Sequence, residues 1–148
     1  MDRILLAVDG SDHSERAAKV AGELSKCTGA AVDIVHVIPD RAAVTGTALH
    51  TYAQVEDVYV TQRELLVAGG EELLGRTTRL VEEEGGAVKE ANVVIGSPAH
   101  AIADTAEARD VDAIVMGRRG LGDMGGLVMG SVTHKVGHLT GKTLVTTE

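Results

Sequence analysis

Five short apolar runs alternate with segments of helical periodicity along the chain. The first run, Arg3–Val8, reads R-I-L-L-A-V, and consecutive apolar residues are typical of a strand that is covered on both faces. Similar runs predict strands over Val32–Ile38, Val88–Ile95, Ala113–Met116 and Thr143–Thr146. Strands separated by helices favour right-handed parallel crossovers. The pattern therefore predicts one α/β domain over residues 1–148, with an open parallel sheet and helices on both faces.

Two of the predicted helices carry clear start or stop signals. Ser11 or Asp12 can cap the first helix by accepting a hydrogen bond from free backbone N–H groups. Gly29 follows its last turn, where a left-handed backbone is common. After the third strand, Ser97 is predicted to be a helix cap and Pro98 the first helical residue.

The longest helical pattern runs from about Val55 to Glu84, after an aperiodic stretch, Asp40–Gln54, that predicts a loop. Three glycines interrupt the pattern, and each costs about 1 kcal/mol relative to alanine. They predict a kink or a split in this helix, which is expected to end at Gly85. A shorter helix is predicted over Ser131–Leu139.

Composition narrows the classes of function. The chain has 148 residues, two tyrosines, no phenylalanine or tryptophan, and a formal net charge of −8. Its core must therefore be aliphatic. Because an acidic chain repels phosphate backbones, we expect no broad nucleic-acid surface.

The single cysteine, Cys27, cannot form an internal disulfide, which fits a reducing cytoplasm. A small apolar filler near the end of the first helix is its favoured role. No charged-then-apolar leader precedes Arg3, and no apolar run approaches about 18 residues. We expect a cytoplasmic protein without membrane insertion.

Three segments are expected at one edge of the sheet. In an open parallel sheet, ligands bind beyond the carboxyl ends of the strands, where the winding direction reverses. Asp9 follows the first strand, Val37 lies at the end of the second, and Met116–Gly117 ends the fourth and opens a glycine-rich loop.

That loop has features of an anion site. It reads Gly117-Arg118-Arg119-Gly120, then nine residues, then Gly130-Ser131-Val132-Thr133. Glycines let a backbone approach a bulky anion closely, and the free N–H groups of the helix that follows favour negative charge. Hydroxyl and guanidinium donors add to this. A plain flexible connection is the alternative, but the position after a buried strand favours an anion site.

Asp9 has several possible roles at the tip of the first strand. Its carboxylate could cap the first helix, accept a hydrogen bond from a ribose hydroxyl, or hold Mg²⁺ beside phosphates. The sequence leaves these alternatives open.

Taken together, these residues resemble the universal stress protein family over nearly the whole chain. Matching segments are I-L-L-A-V-D-G-S, V-H-V, G-S-P-A and V-M-G-R-R-G. Most specific is the family's nucleotide signature, G-x-x-G, nine residues, then G followed by Ser or Thr. Gly117, Gly120, Gly130 and Ser131 satisfy it in full.

The resemblance implies a Rossmann-like, five-stranded parallel sheet in order 3-2-1-4-5 and a homodimer. It places the chain with the ATP-binding branch of the family. The protein would then be a regulatory protein of the stress response that binds ATP together with Mg²⁺. No catalytic residue is implied.

The resemblance also implies a role for each matching residue. Ala7 and the Val37 backbone would lie by the adenine, and Asp9 would meet the ribose or the metal. Along the ribose and phosphates would lie Met116, Gly117, Arg119 and Gly120. The phosphates would be held by Gly130, Ser131, Val132 and Thr133. Arg118 has no clear assignment.

Two features depart from the family pattern. The family often ends in Cys-Pro-Val-Leu-Val-Val, and its fifth strand pairs across the dimer, whereas Lys142–Glu148 here lacks the proline and is polar. This puts the dimer in doubt. Asp123, inside the signature loop, could weaken phosphate affinity or help to hold a cation.

Two other classes of function remain as alternatives. One is a slow ATPase or nucleotidyl transferase on the same scaffold, and the other is a protein-interaction module that binds no nucleotide.

The histidines are weaker candidates for a site. His134 and His138 share a helix face, but without a third metal ligand they are interpreted as solvated or packed. His36 is interpreted as a buried, hydrogen-bonded residue rather than a base.

Overall fold

The computed structural model describes residues 1–40, 54–121 and 129–148, and for 54–62 its description is limited to the backbone. The elements are β1 (Arg3–Val8), α1 (Asp12–Thr28), β2 (Ala31–Pro39), α2 (Gln54–Glu83), β3 (Ala87–Gly96), α3 (Pro98–Ala108), β4 (Ala113–Gly117), α4 (Ser131–Leu139) and β5 (Thr143–Thr147). Each strand lies within one residue of its predicted bounds at either end.

The five strands form one parallel sheet in the order β3-β2-β1-β4-β5. This confirms the fold class and the strand order. β1 lies at the centre, where Ala7 is paired with Val35 of β2 on one side and with Met116 of β4 on the other.

Alternate residues of β1 build two separate cores. Ile4, Leu6 and Val8 pack with α1 and α2 on one face of the sheet. Leu5 and Ala7 pack with α3 and α4 on the other face. All five side chains are buried, because a central strand of a two-sided parallel sheet has no solvent face.

The long helix α2 is continuous over Gln54–Glu83, so the predicted split is wrong. Gly70 has a packing role: a Cβ there would lie 2.9 Å from Cδ2 of His36 and 3.0 Å from Cγ2 of Val93. A glycine is therefore what lets the helix approach the sheet this closely. On α1, Gly22 lets this helix approach α2 closely, because a Cβ there would lie 2.7 Å from the carbonyl oxygen of Val81.

Most predicted helix ends are confirmed. Ser11 caps α1, and its Oγ accepts from the Ser14 N–H at 3.2 Å. Gly29 ends α1 with a left-handed φ of 77°. Ser97 occupies the cap position before Pro98, but its side chain makes no capping bond and lies 3.3 Å from Nδ1 of His100 instead.

A charged cluster joins the strands at the amino end of the sheet. Asp33 is fully buried, and its Oδ2 accepts from Nε of Arg3 at 2.5 Å and lies 3.6 Å from Nη1 of Arg109. Glu90 on β3 pairs with Arg109 at 3.2 Å. The hydrogen bond to Asp33 holds the pKa of Arg3 above its ordinary value. These pairs connect β1, β2, β3 and the end of α3 at the edge opposite the candidate site.

No helix in the part of the chain that the structure describes combines the length and the apolar character that a membrane span requires.

Asp112 provides a test of pH-dependent stability. Its Oδ2 accepts from the backbone N–H groups of Asp2 at 2.6 Å and Arg3 at 3.0 Å, and these bonds hold its pKa below the ordinary value of 3.8. A lowered pKa contributes stability above the unfolded value, and this contribution is lost as pH falls through the folded value. We therefore expect Asp112→Ala to lower the melting temperature at pH 7 but much less at about pH 3.

Asp104→Ala, at an exposed carboxylate on α3, is the matched control, and its effect on the melting temperature should change little between the two pH values. If the melting temperatures of the Asp112→Ala variant and the parent protein differed equally at both pH values, this account of Asp112 would be wrong.

Candidate functional site

The winding direction of the sheet reverses between β1 and β4. From β1 the chain moves outward through β2 to β3, and then crosses back to β4 and β5 on the other side. The loops that leave β1 and β4 therefore diverge over opposite faces and leave a crevice between them, which is the usual ligand position in open parallel sheets.

A cleft of about 590 Å³ occupies this crevice, a size common for small-molecule and cofactor sites. All eleven residues predicted to form a binding site line it: Ala7, Asp9, Val37, Met116, Gly117, Arg119, Gly120, Gly130, Ser131, Val132 and Thr133. They come from β1, β2, β4, the glycine-rich loop and α4, so the fold brings together residues that are distant in sequence.

One wall of the cleft is apolar. Ala7 and Met116 are adjacent in the sheet register and only 6% and 5% exposed, and Val37 lies on the neighbouring strand. Because Ala7 is small, it leaves room above the sheet. This wall is suited to a flat apolar group.

The opposite wall is the amino end of α4. Its cap residue is Gly130, which has no side chain to cap the helix. The first N–H groups of any helix lack partners within the helix, and here they belong to Ser131, Val132 and Thr133, all of which line the cleft. This end of α4 can therefore donate several hydrogen bonds to an anion.

Two hydrogen bonds hold the parts of the glycine loop in register. Gly130 N–H donates to the carbonyl of Arg118 at 2.8 Å. Thr133 is buried, and its hydroxyl donates to the carbonyl of Gly117 at 2.9 Å. The Thr133 hydroxyl group thus donates its proton to the loop. The backbone N–H of Thr133 is the donor that can bind a ligand.

The two arginines of the loop differ in position. Arg119 lines the cleft. Nη1 of Arg118 lies 2.5 Å from Oε1 of Glu148, and its backbone N–H donates to the Thr147 carbonyl at 2.7 Å. Arg118 therefore faces the end of β5, and Arg119 is the arginine that can add positive charge to the site.

Asp9 connects two loops at the mouth of the cleft. Its Oδ1 accepts from the Ser11 N–H and its Oδ2 from the Leu121 N–H, both at 3.0 Å. Asp9 does not itself cap α1, since Ser11 occupies that position. Each carboxylate oxygen has a second lone pair, so contact with a ribose hydroxyl or a cation is also sterically consistent.

Several residues that line the cleft had not been predicted. His36 is half-buried, and its Nδ1 donates to the Val8 carbonyl at 2.8 Å, which confirms a hydrogen-bonded histidine. Pro39, Leu66 and Pro98 extend the apolar wall. Pro39 and Pro98 each lie beyond the carboxyl end of a predicted strand, which is a usable signal, whereas the position of Leu66 depends on how α2 docks.

The remaining candidates stay outside the site. The rings of His134 and His138 lie 4.4 Å apart, and Nδ1 of His138 donates to the His134 carbonyl at 3.1 Å. Among the described residues no group of three or more metal-binding side chains occurs. Asp123 lies outside the described residues.

Comparison with known proteins places the chain in a family. The sequence profile of the universal stress protein family matches residues 1–146. The chain belongs to the universal stress protein family. It is 32% identical over 140 residues to the universal stress protein YxiE of Bacillus subtilis, which covers 94% of this chain and 93% of the relative. A universal stress protein of Thermus aquaticus is 35% identical over 136 residues, covering 90% and 88% of the two chains.

Solved structures share the fold. The protein MJ0577 superposes with a TM-score of 0.82 at 25% identity, covering 99% of this chain and 94% of its own. A universal stress protein in complex with cAMP gives 0.73 at 20% identity, with 99% and 97% covered. One from Archaeoglobus fulgidus in complex with dAMP gives 0.66 at 24%, with 100% and 98% covered. The latter two likenesses concern the fold, and their ligands belong to those proteins.

Gly117 tests how tightly the loop packs against α1. A Cβ at this position would lie 2.7 Å from Cβ of His13 and 2.9 Å from the Arg119 carbonyl oxygen. We expect Gly117→Ala to lower the free energy of unfolding by about 1–3 kcal/mol, the usual cost of overpacking, as measured by urea denaturation.

Gly141→Ala is the control, because a Cβ there meets no atom within 4 Å and the substitution should be neutral or slightly stabilising. Equal stability of the two variants would contradict the packing described for Gly117.

Proposed function

We propose that this universal stress protein binds an adenine nucleotide, ATP, in the cleft and acts as a nucleotide-responsive regulator in a stress response. The observation that carries the proposal is the amino end of α4. It opens onto the cleft, has no side-chain cap, and is flanked by the glycines of the signature. Such a helix end favours a phosphate through both its N–H groups and its dipole.

The apolar wall is suited to the base. Adenine is flat, and Ala7, Val37 and Met116 present a small apolar surface at the strand ends. The ribose would then lie near Asp9, whose oxygens can accept from a hydroxyl. The phosphates would extend along Gly117 and Gly120.

The phosphate chain would end at α4. In this proposal the backbone N–H groups of Ser131, Val132 and Thr133 donate to phosphate oxygens, and the exposed Ser131 hydroxyl adds a further donor. Arg119 lines the cleft and supplies positive charge there, whereas Arg118 lies toward Glu148. The N–H of Gly130 is directed to the Arg118 carbonyl and shapes the loop.

Mg²⁺ fits this arrangement as a companion of the nucleotide. Protein sites usually hold Mg²⁺ through one or two carboxylates together with substrate phosphates and water. Asp9 is the one carboxylate that lines the cleft among the described residues, so most of the coordination would come from the phosphates and water.

Association and location follow the family expectation. We infer a homodimer that could use β5, an edge strand whose free side can accept another strand. Its threonine-rich sequence favours a weaker contact than an apolar strand would give. A cytoplasmic location is part of the same proposal.

Thermal denaturation with and without Mg·ATP tests the proposed function. A ligand that binds only the folded state adds about 2.7 kcal/mol of stability at a hundredfold excess over its dissociation constant. For a chain of this size we expect the melting temperature to rise by about 5–10 °C. GTP should give a smaller shift if the apolar wall selects adenine.

Gly130→Asp is the variant that should not bind ATP. Its carboxylate would repel phosphate, and a Cβ there lies 3.3 Å from the Arg118 carbonyl oxygen and from Cα of Arg119, so the ATP-dependent shift should disappear. No shift of the parent protein at millimolar ATP would contradict the proposal. Steady phosphate release that is lost in Ser131→Ala would favour the slow ATPase instead.

A further inference from the structure

Asp9 makes one hydrogen bond that the helix-cap and ligand-contact roles do not explain. Its Oδ2 accepts from the N–H of Leu121, 112 residues away along the chain, at 3.0 Å. The bond joins the loop after β1 to the loop after β4, the two loops that diverge at the cleft. Oδ1 accepts from the Ser11 N–H within its own turn, also at 3.0 Å.

The backbone next to Leu121 is packed against the same carboxylate. A Cβ at Gly120 would overlap Oδ2 of Asp9, so a larger residue there would displace either this carboxylate or the loop. Gly120 therefore packs against the Asp9 carboxylate, and Leu121 donates a hydrogen bond to it. Both residues line the cleft.

The carboxylate is the side chain suited to this junction. It offers an acceptor oxygen to each of two backbone N–H groups, and hydrogen bonds to an ionised acceptor are about twice as strong as neutral ones. An asparagine offers one acceptor oxygen and turns an NH₂ group toward the second N–H. Because asparagine commonly bonds its own backbone two residues on, its oxygen would remain with Ser11 and the bond to Leu121 would be lost.

We propose that Asp9 is a positioning residue, which fixes the Gly120–Leu121 backbone and thereby sets the shape of the phosphate side of the cleft. Its effect on nucleotide affinity then acts through the loop and is not limited to direct contact with the ligand. The part that concerns affinity rests on the proposed function; the part that concerns the loop can be tested without any nucleotide.

The first test is made on the nucleotide-free protein by ¹⁵N–¹H NMR. Asp9→Asn should raise the exchange rate of the Leu121 amide proton by about tenfold or more, the effect of losing one hydrogen bond to a charged group, and should shift its resonance upfield. The Ser11 amide should change little. Asp12→Asn, the same change at an exposed neighbour, is the matched control and should leave Leu121 unchanged.

The second test measures ATP binding by calorimetry on the same two variants. Asp9→Asn should weaken ATP binding by about tenfold or more, and Asp12→Asn should not. An Asp9→Asn protein that loses affinity while its Leu121 amide remains as in the parent protein would overturn the proposal, because Asp9 would then act as a direct contact alone. A Leu121 amide that exchanges freely in the parent protein would overturn it as well.

Gly120→Ala disturbs the junction from the loop side and keeps the chemical group of Asp9. It should reproduce both the faster Leu121 exchange and the weaker ATP binding. The double variant Asp9→Ala/Gly120→Ala should lose less affinity than the sum of the two single changes, because both remove the same bond; full additivity would contradict the proposal. If the parent protein bound no ATP, the proposed function would fail, while the Leu121 amide would still decide the role of Asp9 in the loop.

Discussion

The burial of β1 on both faces is the constraint on which the rest of this structure depends. Residues Ile4–Val8 alternate between two cores, one under α1 and α2 and the other under α3 and α4. A strand covered in this way lies inside the sheet and not at its edge. β1 is the central strand, and the chain winds in opposite directions to either side of it. The cleft forms at that reversal, between the loops that follow β1 and β4.

The second constraint is that backbone segments lie very close to their neighbours. Glycines allow this between helices, between a helix and the sheet, and in the loop of the candidate site. Gly22 and Gly70 bring helices close to each other and to the sheet, with no room for a Cβ. Gly117 and Gly120 do the same beside α1 and Asp9. The glycines of the signature therefore have a packing role within the protein itself, in addition to the room that they would give a phosphate. A substitution there affects the fold and the proposed binding together.

Much of the fold could be predicted because it depends on local patterns. The apolar runs placed every strand within one residue, and Gly29 and Pro98 marked helix ends correctly. The features that were missed depend on distant contacts. The glycines inside α2 predicted a break, and the packing role of Gly70 was missed because its neighbour His36 lies on another element. The Asp9–Leu121 bond, the pairing of Arg118 with Glu148 and the buried Thr133 hydroxyl likewise join residues that periodicity does not relate.

A crystal structure at saturating Mg·ATP tests the central claim most directly. The account predicts adenine against Ala7, Val37 and Met116, with the phosphates at the amino end of α4 beside Ser131 and Arg119. A cleft without nucleotide under those conditions would contradict it. So would a nucleotide whose phosphates lie away from α4, because the open helix end would then have no part in binding.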